Sequence, residues 1–309
     1  MTASEILETE EIRFVLPFPS IFYATIFLAE SQGFFAGVGL RSRVAYAERG
    51  GDPVEGLIGG IGEIAVGGVV RLMRLPKDET QKFAIIGQIN GASGFSILGR
   101  RPGPFQWTDM RSRKFIPFAE SRTPWLFTQS VLSRHRVDPE QMHLMPAANT
   151  DEAVRLFLAG DADFIELPEP AISALLVSAE ASLCVSMAKV LGDMPFSVLI
   201  APSDLLQSDA DRLHRAVEAI RRTQHWIYRS SPEFITRCLS KLFPDIAPPV
   251  MSMAVLNYWG NLVWASDAAI AKPSFEGMQQ MIVRSGERLR EIDFGRVINP
   301  VSTLSDTAP

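Results

Sequence analysis

Apolar residues in the first part of the chain follow the period of a strand and the period of a helix in turn. Residues 12–16 form a short apolar run that two prolines end, and apolar positions then recur at helical spacing over 21–34. Two more strand-like runs follow at 41–47 and 64–70, with a helix that begins at Pro53 between them. This alternation predicts a mainly parallel sheet with helices on both faces.

The same succession of elements starts again after residue 113. It predicts a strand at 114–119, a helix capped by Thr123, a strand at 142–146, a helix that ends at Gly160 and a strand at 164–167. Beyond about residue 203 the pattern is helical. Two similar segments of this kind predict two α/β lobes with a cleft between them, because ligands of open α/β sheets lie beyond the carboxyl ends of the strands.

Charge and composition exclude several classes of function. The chain carries 30 Lys and Arg against 35 Asp and Glu, a formal net charge of −5. Because no basic block could follow a phosphate backbone, we expect no nucleic-acid partner. The two cysteines, Cys184 and Cys238, are too far apart in sequence for a C-x-x-C site. The four histidines form no ligand pattern, so we expect neither a metal nor a cofactor.

The N-terminal sequence MTASEILETEEIRFVLPF has four glutamates where a signal peptide needs a basic segment and an apolar one. The longest apolar runs are as long as strands and fall short of the roughly 18 residues that span a membrane. As the chain is written, we therefore expect a soluble, cytoplasmic protein without a membrane span. A signal sequence upstream of this start would instead make it periplasmic.

Several short motifs carry a family resemblance through their order and spacing. They are FYATIFLAESQGFFAGVG at 22–39, the Gly50–Gly51 turn, LIGGIGEIAVG at 57–67, DEAVRLFLAGDADF at 151–164 and LPEP at 167–170. Together they resemble the periplasmic-binding-protein-like family of sulfonate, taurine, nitrate and thiamine-pyrimidine-precursor binding proteins, the NMT1/THI5-like group. The resemblance covers residues 12–290.

This resemblance implies a two-lobed α/β clamp, the type II periplasmic binding protein fold, with a ligand cleft between the lobes. Residues 1–95 plus 200–309 would form the first lobe, and residues 96–199 would form an inserted second lobe. The implied function is to bind a small organic ligand, anionic and partly apolar, and to present it to the permease of an ABC-type importer. The alternative is a cytoplasmic enzyme of the same fold, a decarboxylase, desulfinase or lyase.

The loop between the first strand and the first helix is the first candidate site. Ser20 and the free N–H groups of the helix start could hold a polar ligand group, while Phe18 and Phe22 cover an apolar part. The alternative is an ordinary capped helix whose phenylalanines pack on the sheet. The resemblance places this loop at the cleft.

The corresponding turn of the second segment is the next candidate. Ser121, Arg122 and Thr123 precede Pro124, and a helix start with an arginine beside it is suited to an anion. Trp125 could be a stacking wall or a core residue. The alternative is an N-cap with Arg122 as a solvated side chain.

Paired carboxylates stand at the end of the last strand of this segment. Glu166 and Glu169 could act as acid and base or accept hydrogen bonds from a ligand, or they could be a solvated strand end. The resemblance favours Glu169 as the residue near the cleft. Gly67 and Gly68 would allow close approach of the backbone there, and Phe196 would complete the apolar walls.

Three further interpretations, a dinucleotide site and two kinds of enzyme, fail on the sequence. Residues 60–65 fit G-x-G-x-x-A, but these glycines end a helix and lead into a strand, the reverse of a dinucleotide site. Where desulfinases of the resembled family carry a nucleophilic cysteine, position 20 is serine. The His- and Cys-rich tract of the pyrimidine synthase branch is also missing.

Overall fold

The chain forms two five-stranded sheets of related topology. The computed structural model describes residues 9–47 and 52–299; the Gly50–Gly51 turn and the N-terminal glutamates at 5 and 8 lie outside the described residues. The strands are β1 Glu10–Leu16, β2 Leu40–Tyr46, β3 Ile64–Gly67, β4 Phe83–Asn90, β5 Phe95–Gly99, β6 Lys114–Ile116, β7 His143–Leu144, β8 Phe164–Pro168, β9 Ser182–Ser186 and β10 Ser197–Pro202.

Helices cover both sheets and make up most of the C-terminal third. They are α1 Ala24–Ser31, α2 Pro53–Ile58, α3 Val70–Arg74, α4 Lys77–Thr80, α5 Arg122–Arg134, α6 Thr150–Ala159, α7 Ala171–Val177, α8 Met187–Leu191, α9 Ser203–Ser208, α10 Ala210–Arg229, α11 Pro232–Leu242, α12 Pro248–Gly260, α13 Lys272–Arg284 and α14 Phe294–Val297. None of them, within the described chain, is both long and apolar enough to cross a membrane.

The strand order confirms the predicted α/β architecture. The first sheet has the order β2-β1-β3-β10-β4 and the second β7-β6-β8-β5-β9. In each, three strands run parallel, β2-β1-β3 in one and β7-β6-β8 in the other, and a fourth strand pairs antiparallel beside them, β10 with β3 and β5 with β8. The two sequence segments that look alike therefore build the parallel parts of two sheets.

The chain crosses between the sheets twice. It leaves the first after β4 through residues 91–94 and returns through residues 187–196, and these two stretches are called the crossover segments below. We call the first sheet with its helices the first lobe, and the second sheet with α5, α6 and α7 the second. The return strand β10 begins at Ser197 and pairs with both β3 and β4 in the first sheet. The second lobe is predicted to end at residue 199, inside this strand.

Helix ends follow the local sequence with one correction. Asp52 caps α2 by accepting a hydrogen bond from the Val54 N–H at 2.9 Å, with Pro53 in the first turn. Thr123 was the predicted cap of α5, but the cap is Ser121, whose hydroxyl accepts from the Thr123 N–H at 3.3 Å. Ser121 is extended and Arg122 is already helical, so the helix begins two residues earlier than the pattern indicates.

Several strands also differ from the prediction: β6 ends at Ile116 instead of residue 119, and β7 is only His143–Leu144 instead of 142–146. β3 ends at Gly67 instead of residue 70, because residues from Val70 onward turn into α3. β9 was not predicted: it is a half-exposed edge strand of mixed composition, and such a strand lacks clear alternation of buried and exposed positions.

Candidate functional site

The carboxyl ends of the parallel strands in the two sheets face a common cavity. Leu16 of β1 leads into the loop at residues 17–20, and β3 ends beside it at Gly67. In the second lobe, β6 leads into the turn at Ser121. The cavity between these ends is lined by both lobes and the crossover segments: Pro17, Phe18, Phe22, Tyr23, Gly67, Gly68, Arg71, Phe95, Ser121, Thr123, Pro124, Phe196 and Ser197.

The cavity is narrow in this structure. Its volume is about 30 Å³, room for one or two water molecules. Pockets for small organic molecules are typically ~300 Å³ or more. A Cβ atom on Gly68 would stand 3.3 Å from the Thr123 methyl group of the other lobe, so the lobes nearly touch here. Admission of an organic ligand therefore requires the lobes to move apart.

Aromatic rings form most of the cavity wall. Phe22 makes edge contacts with Phe95 at 6.0 Å and Phe196 at 5.9 Å between ring centroids. Phe18 of the first lobe meets Phe118 of the second at 6.0 Å. Edge-to-face pairs at these distances are favourable in themselves, and here they join the lobes through apolar surface that could also cover the apolar part of a ligand.

Arg71 supplies a cation to this aromatic cavity. Its Nη1 lies 2.9 Å from a carboxylate oxygen of Asp52, and its side chain is 16% exposed. The Nε–H is buried and has no acceptor among the residues that the structure describes. The guanidinium lies over Gly67, where a Cβ would come within 2.6 Å of Nε. A buried donor of this kind is costly unless an acceptor reaches it.

The second lobe adds the start of a long helix. Ser121 and Thr123 line the cavity, and α5 begins between them and runs for 13 residues. The N-terminal end of such a helix carries a partial positive charge. Hydroxyl groups and a positive helix end on one side therefore face a guanidinium on the other, an arrangement complementary to an anion.

The predicted site residues divide into two groups. Those that line the cavity are Phe18, Phe22, Gly67, Gly68, Ser121, Thr123 and Phe196. Ser20 instead caps the short helical turn after β1 by accepting from the Phe22 N–H at 3.1 Å. Trp125 is buried in the second lobe against Phe115, 5.5 Å between ring centroids.

Arg122 does not line the cavity. Its guanidinium forms an ion pair with Glu287, and its side chain is 57% exposed. The neighbours on either side, Ser121 and Thr123, do line it. The cation among the lining residues is Arg71, which the sequence reasoning missed. The feature of the sequence that could have revealed Arg71 is its position one helical turn after the Gly67–Gly68 pair, where a strand ends.

Glu169 lies on the other side of the crossover segments. It borders a separate cavity of about 70 Å³ that Ser93 and Gly94 also line. Its Oε1 accepts from the Asn257 side chain at 2.7 Å, and its N–H donates to the Tyr258 hydroxyl at 2.9 Å. Burial raises its pKa. The residue thus connects the second lobe to α12 of the first and does not line the Arg71 cavity.

Glu166 is fully buried in β8, so it is not a solvated strand end. Its Oε1 accepts from the Thr128 hydroxyl at 2.6 Å, and its Oε2 has no partner in the described chain. Burial raises its pKa to about 7, and the hydrogen bond from Thr128 opposes part of that shift. The carboxyl group does not line the Arg71 cavity.

Pro124, which belongs to the candidate turn, also lines the cavity, and sequence reasoning missed Pro17, Tyr23, Phe95 and Ser197. Tyr23 follows Phe22 directly, and burial raises its pKa while the nearby Arg71 charge opposes the shift. Phe95 opens β5, where the chain enters the second lobe. Within residues 9–47 and 52–299, no group of three or more His, Cys, Asp or Glu side chains could hold a metal ion.

Comparisons with known proteins agree on the fold. No family model matches the chain. The chain is 24% identical over 285 residues to the Bacillus subtilis protein named "Putative binding protein YtlA", which covers 91% of this chain and 85% of that protein.

Solved structures give the same result. The periplasmic aliphatic sulphonate binding protein SsuA of Escherichia coli superimposes with a TM-score of 0.74 at 14% identity, over 96% of this chain and 99% of that one. The ligand binding component of an ABC-type import system from Staphylococcus aureus, solved with zinc bound, gives 0.73 at 13% identity, over 97% and 100%. The chain therefore has the periplasmic binding protein fold.

Proposed function

We propose that this protein is a solute-binding protein whose lobes close on a small organic anion and present it to the permease of an ABC-type importer. The observation that carries the proposal is Arg71, with a buried Nε–H that lacks an acceptor in the described chain, inside an aromatic cavity between two lobes. An anionic oxygen would satisfy that donor, and the rings would bury an apolar remainder.

The second lobe supports the same class of ligand. An anion held by Arg71 would face the Ser121 and Thr123 hydroxyls and the N-terminal end of α5. Contacts from both lobes to one molecule would favour the closed arrangement, because a ligand shifts a conformational equilibrium by its difference in affinity for the two states.

Sulfonates with an apolar part are the ligand class that we infer. A sulfonate offers several oxygens to a guanidinium, and the aromatic walls would cover an alkyl or aryl group. The sulphonate binding protein of Escherichia coli and the import-system component of Staphylococcus aureus share the fold. An importer role would also place this protein in the periplasm. Membership in the NMT1/THI5-like group stays a prediction.

A panel of matched compounds tests the proposal. Hexanesulfonate, hexanoate, hexanol and hexyltrimethylammonium share one chain and differ in the head group, and nitrate and bicarbonate lack the chain. We expect the organic anions to raise the melting temperature and to give a measurable Kd by calorimetry. Stabilisation by nitrate or bicarbonate above every organic acid would overturn the inferred ligand class.

Mass spectrometry separates binding from the enzymatic alternative. The protein is incubated with the sulfonate that binds best, and the small molecules are analysed before and after. A binding protein returns the compound unchanged. Accumulation of a product that has lost the sulfonate group would support the enzyme of the same fold instead.

A further inference from the structure

The ion pair between Arg122 and Glu287 joins the two lobes. Arg122 is the first residue of α5 in the second lobe. Glu287 follows α13, in a segment fixed to the first lobe by Arg290, which donates to the Thr80 hydroxyl at 2.8 Å. The other Glu287 oxygen lies 3.5 Å from the Arg74 guanidinium of α3. One carboxylate thus stands between an arginine of its own lobe and one of the other lobe.

This pair lies at the edge of the Arg71 cavity. The residues on both sides of Arg122, Ser121 and Thr123, line the cavity, and Gly68 approaches Thr123 from the first lobe. α13, which leads into Glu287, packs against α5. Movement of the lobes away from each other at this edge would therefore part these two helices and separate Arg122 from Glu287. The Arg74 contact lies within one lobe and would survive the same movement.

We propose that Arg122 and Glu287 form an interlobe clasp, a positioning pair that raises the fraction of closed molecules without touching the ligand. The effect on ligand affinity rests on the proposed function, whereas the effect on closure does not. Arg122 is 57% exposed and Glu287 23% exposed. For a pair with this exposure we expect a two- to fivefold change in the ratio of closed to open molecules, decreasing with salt.

Distances between spin labels on the two lobes, measured by pulsed electron paramagnetic resonance without any added compound, test the clasp. The native cysteines are replaced by serine, and labelled cysteines are placed at Asp78 and Glu140, which are exposed in different lobes. Arg122→Gln, Glu287→Gln and the double variant are compared with Arg134→Gln, which removes an exposed arginine from the far end of α5.

We expect each single variant of the pair to raise the open fraction two- to fivefold, and the double variant to add little beyond either. Arg134→Gln should have the same open fraction as the protein with Arg122 and Glu287 intact. In 0.5 M NaCl the open fraction of that protein should rise, whereas that of the double variant should not change. Melting temperatures confirm that every variant folds. Unchanged distances in both single variants, or independent effects that add, would overturn the clasp.

Calorimetry with hexanesulfonate distinguishes this proposal from the proposed function. If the distances respond as expected and no sulfonate binds, the clasp stands and the ligand class fails. If hexanesulfonate binds equally to all variants and the distances do not respond, the clasp fails and the proposed function stands.

Discussion

Replacement of Arg71 by methionine is the most direct test of the anion site. Methionine keeps an unbranched chain over Gly67 but removes the guanidinium. In the native protein Nη1 is engaged with Asp52 at 2.9 Å, while Nε is buried and free to donate to a ligand. The substitution therefore removes one charge-assisted hydrogen bond to the ligand, worth about 1.5–3 kcal/mol. That energy corresponds to a rise of roughly 10- to 150-fold in Kd.

The effect on folding should be much smaller. Asp52 is 29% exposed and keeps its hydrogen bond from the Val54 N–H, so loss of the ion pair costs about 1 kcal/mol or less. Arg71→Lys should fall between native and Arg71→Met, because it retains the charge and loses the planar fork.

Calorimetric titration with hexanesulfonate measures the change, and urea unfolding measures the stability. Lys77→Met is the matched control, since it removes an exposed cation of the first lobe outside this cavity. A Kd for Arg71→Met within twofold of the native value, in a protein with native circular dichroism, would refute the assignment of Arg71 as the anion-binding residue.

Three further substitutions probe the surroundings. Gly67→Ala should weaken hexanesulfonate binding about tenfold in calorimetry, because a Cβ 2.6 Å from Arg71 Nε displaces the guanidinium. The control Gly37→Ala, which has open space around its Cβ, should bind with native affinity, and equal affinities of the two variants would contradict the prediction. Since the pKa of Glu166 is about 7 in the folded protein against 4.5 in the unfolded chain, the native state holds the extra proton, and the free energy of unfolding should fall by roughly 3 kcal/mol between pH 4.5 and 8. Glu166→Gln should remove most of that decline in urea titrations at pH 5 and 8, and the same decline in both proteins would exclude Glu166 as its source. Phe22→Ala should lower the free energy of unfolding, measured in urea, by about 3–5 kcal/mol, because Phe22 is buried among aromatic rings. The exposed Leu256→Ala should cost about 0.5 kcal/mol or less, and similar losses in both variants would show that the rings around Phe22 do not stabilise the fold.

The fold and much of the cavity could be predicted because they depend on local pattern. Strand ends mark where the loops of parallel strands begin, and together with the family resemblance they predict Phe18, Gly67 and Ser121 at the cleft; all three line the cavity. Periodicity detects such ends well, because burial of alternate or every third to fourth residue is a property of short segments.

The direction of a long side chain depends on partners that are remote in sequence. Arg122 turns to Glu287, and Glu169 turns to Asn257. Neither partner stands in a motif. The sequence therefore indicated the turn at Ser121 and Thr123, which lines the cavity, but not that the arginine lining the cavity is Arg71. The sequence around Arg71 likewise gave no indication that the second lobe faces this side chain.

The return of the chain to the first sheet has a consequence for biosynthesis. β10 lies between β3 and β4, so the first sheet has a gap at that place until residues 197–202 have been made. The second sheet draws all its strands from residues 95–186 and can form as soon as that stretch leaves the ribosome. We therefore expect the inserted lobe to fold first, while the unpaired edges of β3 and β4, which are open to association with other chains, wait for the later strand to close them.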